Sequence, residues 1–160
     1  MELAITPIGE IHTPFTEIKG MPIQPAGARG IRGTVHVYED YVQGLEDLDG
    51  FSHILLLYYF HRVHDYRLTV TPFLDEEQHG VFATRAPKRP NPIGLSVVRL
   101  RAVDGDRLHL ENVDMLDGSP LLDIKPYVPD FDQYTHVRTG WLEKSRDNVE
   151  HKQSDERFSE

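Results

Sequence analysis

A loop rich in prolines and basic residues carries the strongest chemical signal in this 160-residue chain, GVFATRAPKRPNPIG at residues 80–94. Arg85, Lys88 and Arg89 lie within it, and residues 78–103 contain no acidic side chain although the whole chain has a net charge of −9. Its three prolines stiffen the backbone, so the loop loses little entropy when it binds a ligand. The loop is therefore predicted to bind an anion.

The same loop has a second interpretation, in which it is a rigid connection without chemistry. Asn91 favours the functional one, because it lies between two prolines that hold its amide in a fixed direction. Such an amide can recognise donor and acceptor groups of a ligand. Gly94 at the end of the loop allows another segment to approach closely.

His61 and Arg62 follow directly after an apolar run, where side chains commonly leave a packed scaffold to bind ligands. His61, His64 and Asp65 lie close together in sequence, but neighbouring histidines without a third spaced ligand are weak evidence for a metal site. We predict no bound metal.

Asp123, Lys125 and Tyr127 occupy alternate positions of an extended stretch, which places them on one face. Read alone, Asp123 and Lys125 form a surface ion pair worth under about 1 kcal/mol. In a pocket they could instead act as acid, base or orienting groups, and spacing does not decide between these interpretations.

The composition fits one domain of a cytoplasmic protein. The chain has no cysteine, and its longest apolar run, Ile54–Phe60, is too short to span a bilayer. A sequence pI near 5.4 disfavours general adhesion to nucleic acid, and no DNA partner is expected. A local basic patch can still bind RNA.

Twelve glycines and eleven prolines divide the chain into short pieces, which favours many strands over long helices. The Asp104-Gly105 pair predicts a hairpin turn, and a change in apolar parity predicts a bulge between Val97 and Val98. The predicted strands are Ala4–His12, Gly33–Tyr38, Phe51–Phe60, Arg67–Thr71, Gly80–Thr84, Leu95–Val103, Arg107–Val113, Leu121–Lys125 and Val137–Leu142.

One short helix is predicted over Tyr41–Leu48, with Asp40 as its cap. The apolar strand Phe51–Leu57 is expected to be central and covered on both faces, as in a small barrel. The fold class is therefore mainly β, a small antiparallel-rich β-barrel with one short helix. This domain spans residues 1–142, and residues 143–160 form a polar C-terminal tail.

Four segments together resemble one known family. They are QPAG at 24–27, FSHILLLYYFHR at 51–62, GVFATRAPKRPNPIG at 80–94 and DMLDGSPLLDIKPYVP at 114–129. In this order they resemble the TrmO or TsaA-like S-adenosylmethionine-dependent tRNA methyltransferases, over nearly all of residues 4–142. The resemblance implies a mainly β barrel, a homodimer, S-adenosylmethionine as cofactor, and methyl transfer to N6 of N6-threonylcarbamoyladenosine beside the anticodon of a tRNA.

The resemblance also implies which residues bind the cofactor. Carried over by position, they are Gln24, Pro25, Ala26, His61, Arg62, Arg85, Leu95, Met115, Leu116, Asp117 and Gly118. Arginine suits the carboxylate of this cofactor, apolar side chains suit its adenine, and oxygen atoms suit its sulfonium.

From these residues we expect an enzyme that aligns the methyl group with the exocyclic nitrogen of a modified adenosine. The candidate base or orienting groups are Asp117, Asp123 and Tyr127, and the candidate RNA contacts are Lys88, Arg89 and Asn91. An alternative is a sensor that binds S-adenosylmethionine without transferring its methyl group. A simple RNA-binding module is a further alternative, which the acidic composition disfavours.

Overall fold

The computed structural model describes residues 1–22 and 25–144, and its main feature is a closed β-barrel. Six strands pair in the order β1-β2-β7-β6-β3-β8, each antiparallel to its neighbours, and β8 closes the ring on β1. β4 and β5 form a separate two-stranded sheet. The strands are β1 Gly9–His12, β2 Arg32–Val37, β3 His53–Tyr59, β4 Thr69–Val70, β5 His79–Gly80, β6 Ile93–Asp104, β7 Arg107–Glu111 and β8 Ser119–Pro126.

The barrel follows from alternation of apolar residues along its strands. On β3, Ile54 and Leu56 face inward and are fully buried, and on β7 the same holds for Leu108 and Leu110. Removing these side chains from water is the main favourable contribution to the fold. The predicted mainly β barrel is confirmed, with β3 between β6 and β8 as expected for a central strand.

The predicted hairpin is present, but its turn lies one residue later in the chain. Asp104 pairs with Arg107, so Gly105 and Asp106 form the two-residue turn between β6 and β7. Gly105 has a φ of 60°, which glycine adopts without steric cost at the first turn position.

The bulge predicted between Val97 and Val98 is wrong. The register of β6 against β7 shifts between Leu100 and Ala102. The parity argument failed because Ser96, a polar residue, faces the barrel interior and is only 2% exposed.

The helix predicted over Tyr41–Leu48 is replaced by two short 3-10 helices, Glu39–Leu45 and Leu48–Gly50. Asp47 between them has a φ of 66°, in the left-handed region, which interrupts helical geometry. Tyr38, rather than Asp40, occupies the N-cap position of the 3-10 helix Glu39–Leu45.

The other irregular elements are short. They are the 3-10 helices Pro25–Ala28, Val81–Ala83 and Gly140–Lys144, and one turn of α-helix, α1, at Pro129–Asp132. The strand predicted over Val137–Leu142 is therefore wrong. The predicted tail begins inside the last 3-10 helix, and its residues from 145 onward lie outside the described part of the chain. Over the described ranges, no helix is long and apolar enough to cross a membrane.

One end of the barrel gathers the segments that sequence analysis marked for function. There β1, β3 and β7 end while β2, β6 and β8 begin. Residues 60–62 leave this end after β3, residues 80–92 enter it before β6, and residues 112–118 connect β7 to β8. Barrel closure thus brings distant parts of the sequence together.

Gly94 is predicted to be essential for packing at this end. A Cβ at Gly94 would lie 2.5 Å from Tyr58 Cζ and 2.9 Å from Phe60 Cζ, two rings that contact each other edge to face. Gly94→Ala should therefore reduce the free energy of unfolding by about 1–3 kcal/mol through overpacking. Gly44→Ala is the matched control, because nothing lies within 4 Å of that Cβ. Urea unfolding of both variants checks this, and equal stabilities would contradict it.

Candidate functional site

A cavity of about 760 Å³ opens at this end of the barrel. Its walls come from the end of β3, the loop before β6, the start of β6 and the connection between β7 and β8. The predicted cofactor-binding residues that line it are His61, Arg62, Arg85, Leu95, Met115 and Leu116. Their convergence from four chain segments makes this cavity the candidate site.

The remaining predicted cofactor residues lie beside the cavity or among residues that the structure does not fully describe. Asp117 and Gly118 follow Leu116 directly; the Asp117 N–H donates to the carbonyl of Phe15 (2.7 Å) and Gly118 adopts a φ of 79°. Pro25 and Ala26 lie in a 3-10 helix whose side chains are not described there. Gln24 lies outside the described residues.

The charged groups of the cavity wall have opposite signs at different depths. Arg62 and Arg85 are exposed and Arg89 is half-buried, whereas Asp114 is 8% exposed. Asp114 is also the only carboxylate among the described residues that line the cavity. A ligand with both a negative and a positive group would meet partners for each.

Asp114 belongs to a buried hydrogen-bond chain at the cavity wall. Ser96 Oγ donates to Asp114 Oδ1 (2.7 Å), and Tyr58 Oη lies 3.0 Å from Ser96 Oγ. Because Ser96 has one hydroxyl proton and gives it to Asp114, Tyr58 is the donor to Ser96. Three side chains from β3, β6 and the β7–β8 connection are thereby fixed together.

Burial controls the protonation of Asp114 and Tyr58 in this hydrogen-bond chain. It raises the pKa of Asp114 to about 7, although the hydrogen bond from Ser96 and the charge of Arg85 act in the opposite direction. Burial, together with the Asp114 charge, also raises the pKa of Tyr58 well above its usual value. Tyr58 therefore stays neutral, while Asp114 changes its charge near neutral pH.

His61 lines the same cavity in a half-buried position. Its burial and the neighbouring Arg62 guanidinium lower its pKa, against the smaller opposing effects of the Tyr59 backbone and the Asp117 carboxylate. His61 is thus a neutral hydrogen-bonding group at pH 7, not a cation.

The basic loop is held by its own hydrogen bonds. Arg89 Nη1 donates to the carbonyls of Thr84 (2.9 Å) and Ala86 (3.2 Å), which span Arg85. The Phe60 N–H donates to the carbonyl of Pro92 (2.8 Å) and ties the loop to the end of β3. This geometry keeps Arg85 at the cavity.

The three predicted RNA contacts have different surroundings. Lys88 is 3% exposed, and its Nζ lies 3.3 Å from Asp65 Oδ1, so it stabilises the loop rather than presenting a charge to a ligand. Arg89 is engaged with loop carbonyls as described above. Asn91 is exposed and does not line the cavity.

Two of the three predicted catalytic residues lie away from the cavity. Asp123 faces the outside of β8, 3.0 Å from Lys125 Nζ, which is the surface ion pair of the simpler interpretation. The Tyr127 N–H donates to the carbonyl of His53, at the start of β3 and roughly 20 Å along the strand from the cavity end. The third, Asp117, accepts from the Thr13 N–H (3.0 Å) and does not line the cavity.

Sequence reasoning missed a segment that covers part of the cavity. Trp141 and Leu142 of the 3-10 helix Gly140–Lys144 line it. Trp141 Nε1 donates to the carbonyl of Ala83 (2.9 Å), and its ring stacks on His79 at 4.7 Å. The available signal was that this is the only tryptophan of the chain, placed in an otherwise polar stretch.

Tyr58, Ser96 and Asp114 were also missed. Each lies next to apolar residues that were read as strand or core. A polar residue within an apolar strand was the signal that could have found Ser96, because buried hydroxyl groups need a partner.

Within residues 1–22 and 25–144, no group of three His, Asp or Glu side chains is arranged to hold a metal ion. The chemistry of the cavity rests on arginines, a neutral histidine and one buried carboxylate.

Comparisons with known proteins identify the family. A family model described as the tRNA-methyltransferase O N-terminal domain matches residues 10–133. A probable S-adenosyl-L-methionine-binding protein of Pyrococcus abyssi is 56% identical over 152 residues, which cover 95% of this chain and 83% of that protein. The tRNA (adenine(37)-N6)-methyltransferase of Mus musculus is 38% identical over 137 residues, which cover 81% of this chain and 32% of the mouse protein.

The fold is also known from crystals. The crystal structure of TrmO from Pseudomonas aeruginosa superimposes with a TM-score of 0.75 at 42% identity, covering 88% of this chain and 63% of that one. This chain therefore spans a little under two thirds of that relative. The resemblance found in the four sequence segments is confirmed, and the protein belongs to the TrmO family of S-adenosylmethionine-dependent tRNA methyltransferases.

Proposed function

We propose that this protein transfers a methyl group from S-adenosylmethionine to N6 of N6-threonylcarbamoyladenosine next to the anticodon of a tRNA. The observation that carries the proposal is the cavity at the barrel end, where three of the four family segments converge around arginines and a buried carboxylate. The curated mouse relative, whose name specifies adenine 37 of tRNA, supports the substrate class.

The cavity fits the proposed cofactor. Its volume of about 760 Å³ lies within the roughly 300–1,000 Å³ typical of small-molecule sites. Met115 and Leu116 offer an apolar wall for adenine, while Arg62 and Arg85 offer partners for a carboxylate. When bound, S-adenosylmethionine supplies a methyl group on a sulfonium sulfur. We retain Gln24, Pro25, Ala26, Leu95 and Gly118 as cofactor contacts from the family resemblance.

The protein's own residues supply orientation. Asp117 holds the β7–β8 connection against Thr13, and His61 offers a neutral ring nitrogen to the ligand. The acceptor nitrogen is a weak nucleophile, because its lone pair is delocalised into the base and the carbamoyl group. Alignment within about 3–3.5 Å of the methyl carbon therefore supplies much of the rate. We leave Asp123 and Tyr127 out of the mechanism because of their positions.

The RNA side of the proposal rests on the exposed groups near the cavity. Arg62, Arg85 and Asn91 are exposed, and they belong to two segments joined by the hydrogen bond between Phe60 and Pro92. Cations there suit phosphates, and the amide suits a base edge. Lys88 and Arg89 support the loop instead. The cytoplasmic location predicted from the sequence stays a prediction, in keeping with a tRNA substrate.

We further propose the homodimer that the resemblance implies. Apolar side chains occupy the outward face of β3 and β6, where Tyr59 is 39% and Leu95 45% exposed. Leu55 and Leu57 on β3 pair with Val97 and Leu95 on β6, so this face continues along both strands. A second copy packed on it would remove these side chains from water.

A second candidate function is a sensor that binds S-adenosylmethionine without transfer. The names of the archaeal relatives favour it: those of Pyrococcus abyssi and Methanothermobacter thermautotrophicus are called probable S-adenosyl-L-methionine-binding proteins. The sensor and the enzyme share the cavity, so turnover distinguishes them.

Methyl transfer is tested directly with labelled S-adenosylmethionine and tRNA that carries N6-threonylcarbamoyladenosine. The expected result is label in that nucleoside after digestion, and an unmodified transcript of the same tRNA should stay unlabelled. Label in another nucleoside would reject the proposed substrate. Cofactor binding by calorimetry without any label in tRNA would favour the sensor.

Arg85→Ala should weaken binding of S-adenosylmethionine about 10-fold or more, since a hydrogen bond to a charged group contributes roughly 1.5–3 kcal/mol. Arg99→Ala is the matched control, because Arg99 is exposed on β6 and does not line the cavity. Calorimetry of both variants measures the effect. Equal affinities for the two variants would remove Arg85 from the cofactor site.

Leu57→Lys should convert the proposed dimer to a monomer, because it places a charge on the apolar outward face. Gln43→Lys, an exposed position in a 3-10 helix, is the control. Light scattering after size exclusion gives the mass of each. A monomeric wild-type protein, or a Leu57→Lys variant that stays dimeric, would refute this interface.

A further inference from the structure

The buried chain of Tyr58, Ser96 and Asp114 has no assigned role in the function proposed above. It is unusual for a structural hydrogen-bond chain because two of its members, Tyr58 and Asp114, also line the cavity. A carboxylate that is 8% exposed is costly to keep in a wall whose other buried side chains are mostly apolar. If this position served only packing, an apolar residue would stabilise the fold more.

We infer that Asp114 is the proton acceptor for methyl transfer, with Ser96 and Tyr58 as the residues that position it. This inference rests on the proposed function. It assigns to Asp114 the role of base, for which the sequence analysis had named Asp117, Asp123 and Tyr127.

Position separates Asp114 from those two acids and one phenol. Asp117 turns its Oδ1 to the Thr13 N–H, 3.0 Å away, and does not line the cavity. Asp123 and Tyr127 lie on the outside and at the opposite end of the barrel. A proton acceptor must come within hydrogen-bonding reach of its substrate, which of these four groups only Asp114 can do.

The hydrogen-bond chain fixes the direction of the carboxylate. The Tyr58 hydroxyl donates to Ser96 and the Ser96 hydroxyl donates to Asp114 Oδ1, so the donors approach from the barrel interior. These donors stabilise the ionised form and hold the carboxyl group in one orientation. A base that is held in place needs no reorganisation when the reaction occurs.

The electrostatics suit this role. Burial raises the pKa of Asp114 to about 7, and a base works best when its pKa is near the operating pH. The groups that face it are Tyr58 from β3, Ser96 from β6 and Arg85 from the basic loop, and the last two lower the pKa. Below its pKa, Asp114 is protonated and cannot accept a proton.

The step balances in atoms and electrons. The lone pair of the exocyclic nitrogen forms the new bond to the methyl carbon, and the bond from that carbon to sulfur breaks with its electron pair moving to sulfur. The positive charge passes from sulfur to nitrogen, and the N–H proton moves to the Asp114 carboxylate. No further reactant is required.

The experiment measures single-turnover methyl transfer at saturating cofactor against pH, for wild type, Asp114→Asn and Ser96→Ala. Asp114→Asn keeps the size of the side chain but cannot accept the proton, so its rate should fall at least about 100-fold. Its affinity for S-adenosylmethionine, as measured by calorimetry, should fall far less than the rate, by about 10-fold at most, because only the attraction between the carboxylate and the sulfonium is lost. Equal loss of rate and affinity would make Asp114 a cofactor ligand instead.

Ser96→Ala gives a second readout. Ser96 lowers the pKa of Asp114, so its removal should move the midpoint of the pH–rate profile to higher pH. Ser52→Ala is the matched control, because Ser52 is exposed and bonds His53 at the opposite barrel end. If His61 were the base, Ser96→Ala would leave the midpoint unchanged, which would overturn the inference.

A carboxyl titration by carbon NMR, in protein without cofactor, needs no turnover. One aspartate should titrate near pH 7, disappear in Asp114→Asn and shift upward in Ser96→Ala. If Asp114→Asn fails to fold, comparing wild type with Ser96→Ala still tests the role of Asp114, through the carboxyl titration and through the pH–rate profile. If wild type transfers no methyl group, the proposed function fails; if it transfers with an unshifted midpoint in Ser96→Ala, only the role of Asp114 fails.

Discussion

Pairing of β8 with both β1 and β3 is the constraint on which the site depends. Leu121 lies opposite Gly9 on one side and Tyr58 on the other, so the β7–β8 connection must pass between the ends of those strands. Hydrogen bonds then fix that connection, including one between Asp117 and Thr13, 104 residues apart in sequence. Without closure, Asp114 and Arg85 would have no common cavity.

The charge arrangement of the cavity is opposite to that of the chain as a whole. The net charge is −9, yet the exposed groups at the cavity are arginines and its carboxylate is buried. Arg89 uses its guanidinium to hold loop carbonyls, and Arg85 lies on the same loop at the cavity wall. A site with cations outside and an anion inside selects for ligands that carry both signs, as an amino acid joined to a sulfonium does.

Local patterns were enough to predict the barrel and most of its strands, and six of the eleven residues that the resemblance assigns to the cofactor line one cavity. What the sequence did not reveal depends on contacts between distant residues. Lys88 looks like a ligand-binding cation until Asp65 is placed 3.3 Å from it. Ser96 looks like a break in apolar parity until Asp114 becomes its partner. Neither partner can be deduced from spacing, because closure of the barrel brings them together.

The burial of Asp114 also links the stability of the fold to ligand binding. Its pKa in the folded protein, about 7, is above the ordinary aspartate value of 3.8, so its contribution to stability is fully present below pH 3.8 and is lost as the pH rises through about 7. The difference is on the order of 4 kcal/mol. Near neutral pH, ionisation of this buried carboxyl group therefore lowers the stability of the fold. A positively charged ligand in the cavity offsets that cost, since opposite charges attract strongly where water is excluded. The same burial that weakens the empty barrel thus favours occupation of its cavity by a cation.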